Sequence, residues 1–183
     1  MSQRETYAVN IAGVQRNLRL FEIKPGLKIA ILNILGDTEL VHKSAQALAE
    51  KLKGKDYSLI VSAEAKSIPL AHELSAITGI PYIIFRKTYK PYMGEALKAE
   101  TLSITTGQTQ VLYLDEKDLE LIKGKNVIIV DDVISTGSTL QGMRDLVKKA
   151  GAEVKGEAAI FTEGDPCKWE GVIALGHLPL FTD

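Results

Sequence analysis

Cysteine is almost missing from this 183-residue chain. Cys167 stands alone, so no intramolecular disulfide can form and a reducing compartment suits the protein. Histidine is scarce too. His42, His72 and His177 share no metal-ligand spacing and belong to no Ser-His-Asp pattern, which leaves zinc-type and acyl-transfer chemistry without its usual groups. Neither sign of charge dominates: the formal net charge is −1, so there is no overall basic field to draw in nucleic acid. No apolar run approaches the roughly 20 residues of a membrane-crossing helix. The opening residues, MSQRETY, are polar and lack the apolar core of a secretory signal. Together these absences lead us to expect one soluble cytoplasmic domain with no membrane or nucleic-acid partner. Two phosphate-binding patterns are also missing. GxGxxG does not occur, and Gly137 is followed five residues later by Gly142 and then Met143, not by the Gly-Lys of a P-loop.

What is present is enough apolar material for a core. Hydrophobic residues make up 45% and charged residues 25%, the balance of an ordinary globular domain. The most informative stretch runs from Asn126 to Gln141, with VIIVDDVISTGST at its centre. Four β-favouring residues, Val127 to Val130, predict a strand buried on both faces. Two adjacent carboxylates follow, Asp131 and Asp132, then Ser135, Thr136, Gly137, Ser138 and Thr139. Leu140, Met143, Val147 and Ala150 repeat at helical spacing, and Gly151 stops the run. Hydroxyls and a glycine ahead of a helix leave its first amides bare at the positive end, a socket for a phosphate dianion. The acids repel that phosphate. They suit a neighbouring group rich in hydroxyl donors, a divalent cation, or both. A receiver-type magnesium pocket and a plain solvated strand end with a helix cap are the competing readings of the same residues.

The rest of the chain alternates. TYAVNIA, LRLFEI and KIAILNIL predict strands, with Pro25-Gly26 as a turn. A helix is expected over Asp37 to Lys53, capped by Asp37 or Thr38, with a stripe of Leu40, Val41, Ala45, Leu48 and Leu52 ended by Gly54. SLIVS reads as a buried strand, AEAKS as its loop. A helix from Ile68 to Thr78 follows, with Pro69 in its first turn and Gly79 behind it, and then a strand, PYIIF. Arg86, Lys87 and Lys90 lie in a polar stretch with Pro91 and Gly94. TLSIT and TQVLYL predict two strands around Thr106-Gly107, and Val154 to Phe161 a last strand that completes the sheet. The tail from Thr162 is too broken by glycine and proline for long helices. The fold class is α/β, a parallel sheet with helices on both faces. Ligands of such sheets collect at the carboxyl ends of the strands, which brings together loops 63–67, 86–96 and 131–138.

On these residues the chain resembles the type I phosphoribosyltransferases. VIIVDDVISTGST is similar to their signature for 5-phosphoribosyl pyrophosphate (PRPP), a long and specific motif. The resemblance implies that Asp131 and Asp132 hold the ribose hydroxyls and that Ser135, Thr136, Gly137, Ser138 and Thr139 wrap the 5-phosphate. It implies a pyrophosphate loop at Ala65, Lys66 and Ser67, often with a cis non-proline peptide, and a flexible catalytic hood whose Arg-Lys pair matches Arg86 and Lys87, with Lys90 beside them. Mg2+ is expected as cofactor, bound through PRPP rather than held directly by protein ligands. One domain over 1–183 is implied, with a Rossmann-like core at about 28–161 and a small hood from about 1–27 and 162–183. Relatives are commonly homodimers.

The reaction implied is displacement of pyrophosphate by a base nitrogen through an oxocarbenium-like transition state, without a covalent nucleophile. The expected base is a purine, adenine first and xanthine second. Ser135 stands where hypoxanthine and guanine enzymes carry an Asp, and Thr105-Thr106-Gly107 stands where adenine enzymes carry Glu-Tyr-Gly. Asn33 occupies about the place of a base-contacting residue, and an Asn can read a purine edge or cap a turn. Orotate-type enzymes share the Arg-Lys-x-x-Lys spacing. A PRPP-sensing regulator is the alternative from another class, although the chain shows neither a winged-helix segment nor a basic surface. Cys167 and Trp169 read as packing rather than chemistry.

Overall fold

The structure, a computed structural model, describes residues 5–102 and 109–182. Its centre is a five-stranded sheet. Strands β4 (Leu59–Ala63), β5 (Tyr82–Phe85), β8 (Asn126–Ile134), β9 (Glu153–Glu163) and β10 (Ile173–Leu178) run parallel in the order β10-β9-β8-β4-β5. Alternate side chains of β8 enter two separate cores, as the two-residue period of a strand demands. Ile128 and Val130 meet α1 (Thr38–Leu52) and α2 (Ile68–Thr78) on one face. Val127 and Ile129 meet α4 (Ser138–Lys149) on the other. Burial on both faces is why β8 reads as an unbroken apolar run.

Local chemistry starts and stops the helices. Asp37 accepts a hydrogen bond from the Leu40 amide at 3.2 Å and so caps α1. Pro69 lies in the first turn of α2, and Gly79 closes that helix at φ 71°, a left-handed conformation that glycine adopts without a Cβ penalty. The expected bounds of both helices agree with the structure to within a residue.

A second, antiparallel sheet has the order β1-β2-β3-β11, from β1 (Thr6–Ile11), β2 (Val14–Lys24), β3 (Leu27–Ile31) and β11 (Phe181–Thr182). Ile11, Val14, Leu18 and Ala30 bury against the α1 side of the core. The first and last segments of the described chain thus meet in one sheet. A hairpin of β6 (Leu97–Leu102) and β7 (Thr109–Leu114) covers α4. The turn expected at Thr106-Gly107 lies outside the described residues, and so does most of TLSIT; β6 begins earlier, at Leu97. A short helix, α3 (Leu119–Ile122), follows β7.

Other strand bounds differ from expectation as well. β3 joins the four-stranded sheet rather than the parallel one. β8 runs on through Asp131 and Asp132 to Ile134, because Val133 and Ile134 pair with Phe161 and Thr162 of β9. The acids therefore sit within the strand, and the loop behind them is short. The parallel sheet also gains β10, which the glycine-broken tail conceals. A Cβ on Gly176 would lie 2.6 Å from a ring carbon of the buried Phe161, so the residue that interrupts the apolar pattern is the one that lets β10 lie flat on β9.

Gly176→Ala should therefore overpack that contact and destabilise the protein by about 1–3 kcal/mol. Urea denaturation checks it: an unchanged midpoint would refute the close approach.

Candidate functional site

Strand order creates the site. From β4 the chain moves outward to β5, while from β8 it moves the opposite way to β9 and β10. The switch point lies between β4 and β8, and a crevice opens there at the carboxyl ends of the strands. The loops that follow these two strands contain Ala65, Lys66 and Ser67 on one side and Ser135, Thr136 and Gly137 on the other.

Asp131 and Asp132 are both buried, at 8% and 6% exposure. Ser67, at the start of α2, makes no capping bond to its own helix. Its hydroxyl donates instead to Asp131 Oδ1 at 2.5 Å and accepts from the Asp132 amide at 3.1 Å. Asp132 Oδ1 lies 3.1 Å from the same hydroxyl, but a serine has one proton to give. Burial, and then the charge of Asp132, push the Asp131 carboxyl up to about 7, and the Ser67 hydrogen bond partly opposes them. Lys66 places its ammonium 3.2 Å from Asp132 Oδ2 and 3.2 Å from the Leu32 carbonyl. Asp132 Oδ2 is buried and has no aligned hydrogen-bond donor.

The second loop is built differently. Gly137 precedes α4 at φ 84°, and no side chain caps the helix, so the first-turn amides remain available to an anion. Thr136 and Ser138 hydroxyls lie 2.9 Å apart, and Thr139 donates to Gln110 at 3.3 Å. Asp131, Ser135, Thr136, Gly137 and Thr139 line a hollow of about 40 Å³. Acid pair and amide-lined hollow are thus side by side, with Asp131 bordering both.

Of the basic cluster, the structure brings Arg86 to the pyrophosphate-type loop. Its Nε donates to Glu64 Oε2 at 2.6 Å, and the Lys87 amide donates to Glu64 Oε1 at 2.5 Å. Glu64, held in its charged form by these donors despite burial, immediately precedes Ala65, and the Glu64–Ala65 peptide is cis. Arg86 also bridges through its backbone to Tyr113 of β7. Lys87 and Lys90 are exposed, and among the described residues neither side chain makes an ion pair with Asp131 or Asp132. The far end of this stretch is tied by Glu116, which accepts from the Glu95 amide at 2.8 Å. Asn33 is exposed between β3 and α1, and its Oδ1 accepts from the Leu35 amide at 3.3 Å. It is the turn-capping option that its carbonyl takes up, one residue from the Leu32 carbonyl that meets Lys66.

Three residues at the site carry no clear signal in the sequence. Glu64 is legible only as the acid at a strand end beside the lysine loop. Glu163 ends β9 two residues beyond its expected limit; burial raises its carboxyl pKa, and the Lys66 charge opposes the rise. Trp169, in the short 3-10 turn Pro166–Trp169, lies against Gly137.

A sheet of this order, with an acid pair and a hydroxyl-rich helix start beside its switch point, defines an open-sheet α/β protein. The phosphoribosyl transferase domain family matches residues 33–170, and the chain belongs to that family. It is 31% identical over 151 residues to the purine biosynthesis transcriptional activator PurR of Lactococcus lactis, covering 82% of this chain and 54% of that one. It is 36% identical over 127 residues to the hypoxanthine/guanine phosphoribosyltransferase of Methanotorris igneus, covering 69% and 66%. The chain thus spans about half to two thirds of the length of these relatives. The crystal structure of adenine phosphoribosyltransferase from Thermoanaerobacter pseudethanolicus shares the fold, with a TM-score of 0.71 and 24% identity over 87% of this chain and 95% of that one.

The raised Asp131 pKa has a consequence for stability. Between its unfolded value near 3.8 and about 7, the folded chain binds more protons than the unfolded chain, so this carboxyl's contribution to stability falls as pH rises through that window. Asp131→Asn removes the penalty. Its urea midpoint relative to wild type should be more favourable at pH 8 than at pH 4.5, by on the order of 1–3 kcal/mol. Equal differences at the two pH values would contradict the assignment.

Proposed function

We propose that the protein is a purine phosphoribosyltransferase, transferring the 5-phosphoribosyl group of PRPP to a purine nitrogen with release of pyrophosphate, adenine being the first candidate base and xanthine the second. The observation that carries this reading is the adjacency of a buried acid pair and an open, amide-lined hollow at one switch point. Hydroxyls and a phosphate dianion on one ligand match that pairing; a ligand with either group alone leaves half of it unused.

In this reading the 5-phosphate fills the hollow at Ser135 to Thr139, and the ribose hydroxyls donate to Asp131 and Asp132. The pyrophosphate lies toward the amides of Ala65 to Ser67, Lys66 and Arg86, which stabilise charge on the leaving group. As the anomeric C–O bond lengthens, positive charge grows on the ribose beside the two carboxylates. No covalent nucleophile is needed, and catalysis rests on positioning. Among the described residues no cluster of three or more His, Cys, Asp or Glu could enclose a metal ion. Asp132 Oδ2, buried without an aligned donor although Lys66 lies 3.2 Å away, nevertheless fits a cation that arrives on PRPP and takes its ligands from substrate oxygens and water. When bound, magnesium would supply Lewis-acid neutralisation of the pyrophosphate oxygens. Lys87 and Lys90 would supply further cations for the departing pyrophosphate, and Asn33 would read the purine edge.

Adenine is favoured by the fold relatives, and Ser135 lacks the carboxylate expected for hypoxanthine or guanine. The Methanotorris relative supports keeping those two bases in the comparison. The reading includes a homodimer working in the cytoplasm. A PRPP-sensing regulator is the second reading, favoured by the similarity to PurR.

One assay separates these readings. The protein is incubated with PRPP, magnesium and, separately, adenine, xanthine, hypoxanthine, guanine or orotate, and pyrophosphate release is measured. Turnover with adenine is expected. PRPP binding without turnover on any base would instead establish the sensor. Replacing Asp131 and Asp132 together by Asn should lower turnover by about a hundredfold or more with the circular dichroism spectrum unchanged, and full activity in that variant would remove both residues from the mechanism.

A further inference from the structure

The phosphate-type loop has few fastenings of its own. No side chain caps α4, and among the described residues the loop's side-chain hydrogen bonds are the Thr136–Ser138 hydroxyl contact and the 3.3 Å bond from Thr139 to Gln110. Ser135 and Thr136 are exposed. Yet the loop has a backing supplied from elsewhere in the fold. Trp169 lays the edge of its six-membered ring against Gly137 so closely that a Cβ there would fall 2.7 Å from Cη2. Real Cβ atoms do not approach that closely, so glycine is required at 137 twice over: for φ 84° and for the ring.

Trp169 is itself pinned. Its indole N–H donates to the Glu163 carbonyl at 3.1 Å, at the carboxyl end of β9. Asp165 accepts from the Cys167 amide at 3.1 Å and fixes the preceding turn, and the Val172 amide donates to the Trp169 carbonyl at 2.9 Å. The ring is half-buried against the core on the α4 side of the sheet. A tryptophan serving only to fill that core could bury both rings; here one edge is spent on a loop glycine. The indole therefore joins two strand ends, with β9 holding the nitrogen and the loop after β8 resting on the six-membered ring.

We infer that Trp169 is a positioning residue for phosphate capture: it acts through Gly137, holding the loop amides in the arrangement that receives the 5-phosphate of PRPP. The inference rests on the PRPP reading above and adds to it a residue outside the signature motif. It predicts that loop occupancy and indole environment change together. The chain contains one tryptophan, so tryptophan emission of the unmodified protein, excited apart from the tyrosines, reports on the surroundings of this indole.

The test is to titrate the wild-type protein with PRPP, and separately with inorganic phosphate, while recording tryptophan emission and, in parallel, calorimetric heat. A saturable emission change whose midpoint matches the calorimetric one is expected. Trp169→Ala should weaken PRPP binding about tenfold while kcat at saturating PRPP stays within about twofold, the pattern of lost ground-state positioning. Trp169→Phe retains an aromatic edge against Gly137 and should fall between the two, which keeps the comparison usable if the alanine variant folds poorly. Calorimetric binding of PRPP with unmoved emission, or wild-type PRPP affinity in both variants, would overturn the role of Trp169 and leave the PRPP reading standing. If the wild-type protein gives neither heat nor emission change with PRPP, the PRPP reading fails, and the role of Trp169 falls with it.

Discussion

Two neighbouring carboxylates buried at the end of a central strand form the constraint to which the surrounding structure answers. Desolvating one ionised carboxylate is costly, and a second beside it adds repulsion. The fold responds in three ways. It leaves a proton within reach, because the Asp131 pKa rises to about 7. It turns the Ser67 hydroxyl away from the end of α2, where it would ordinarily cap, and gives it to the acids. It brings up Lys66 to face Asp132 Oδ2. Even so, one oxygen of Asp132 has no aligned donor. A fold selected for stability alone would place an apolar residue at such a position. In the proposed reading, that oxygen, faced by Lys66 but without an aligned donor, is kept for a ligand.

Topology makes this arrangement possible. Adjacent parallel strands whose chains leave in opposite directions keep the space above them clear, so the loops after β4 and β8 face one another without a crossing connection. The four-stranded sheet contributes from the side. Its β3 leads into Leu32, whose carbonyl shares the Lys66 ammonium with Asp132. One cation thereby ties the amino-terminal sheet, the β4 loop and the acid pair together.

Much of this is legible in the residues, and the gaps have physical causes. α1 and α2 are readable because their signals are local: an Asp cap and a left-handed glycine act within one turn. The acid pair and hydroxyl loop are readable because phosphate binding at a helix start imposes a compact pattern. β10 is hidden because Gly176 answers to Phe161, fifteen positions away, and no local pattern encodes that demand. Ser67 is legible in sequence only as part of the pyrophosphate-type loop, because nothing nearby reveals that its proton goes to Asp131. Glu64 and Trp169 are silent for the same reason, since their partners are supplied by the sheet. Local preferences were overridden where the site is assembled, as expected of positions set by function rather than by folding alone.

Two cations of the proposed site are already paired. Arg86 is bound to Glu64 at 2.6 Å and Lys66 lies 3.2 Å from Asp132, so in the proposed reading an arriving pyrophosphate group shares or replaces a carboxylate at each of them. Binding is then an exchange of anions around fixed cations rather than neutralisation of free positive charge. That reconciles a highly charged ligand with a chain whose net charge is −1: the positive charge is local and paired with carboxylates. It also restricts which anions can bind well. A simple phosphate engages one loop and leaves the acid pair unsatisfied, and a sugar without phosphates meets the acids but not the amides. In the proposed reading, a ligand that carries hydroxyls between two phosphate groups satisfies the acids, the loop and the exchanged cations together, and those contacts offset the desolvation cost of the buried pair.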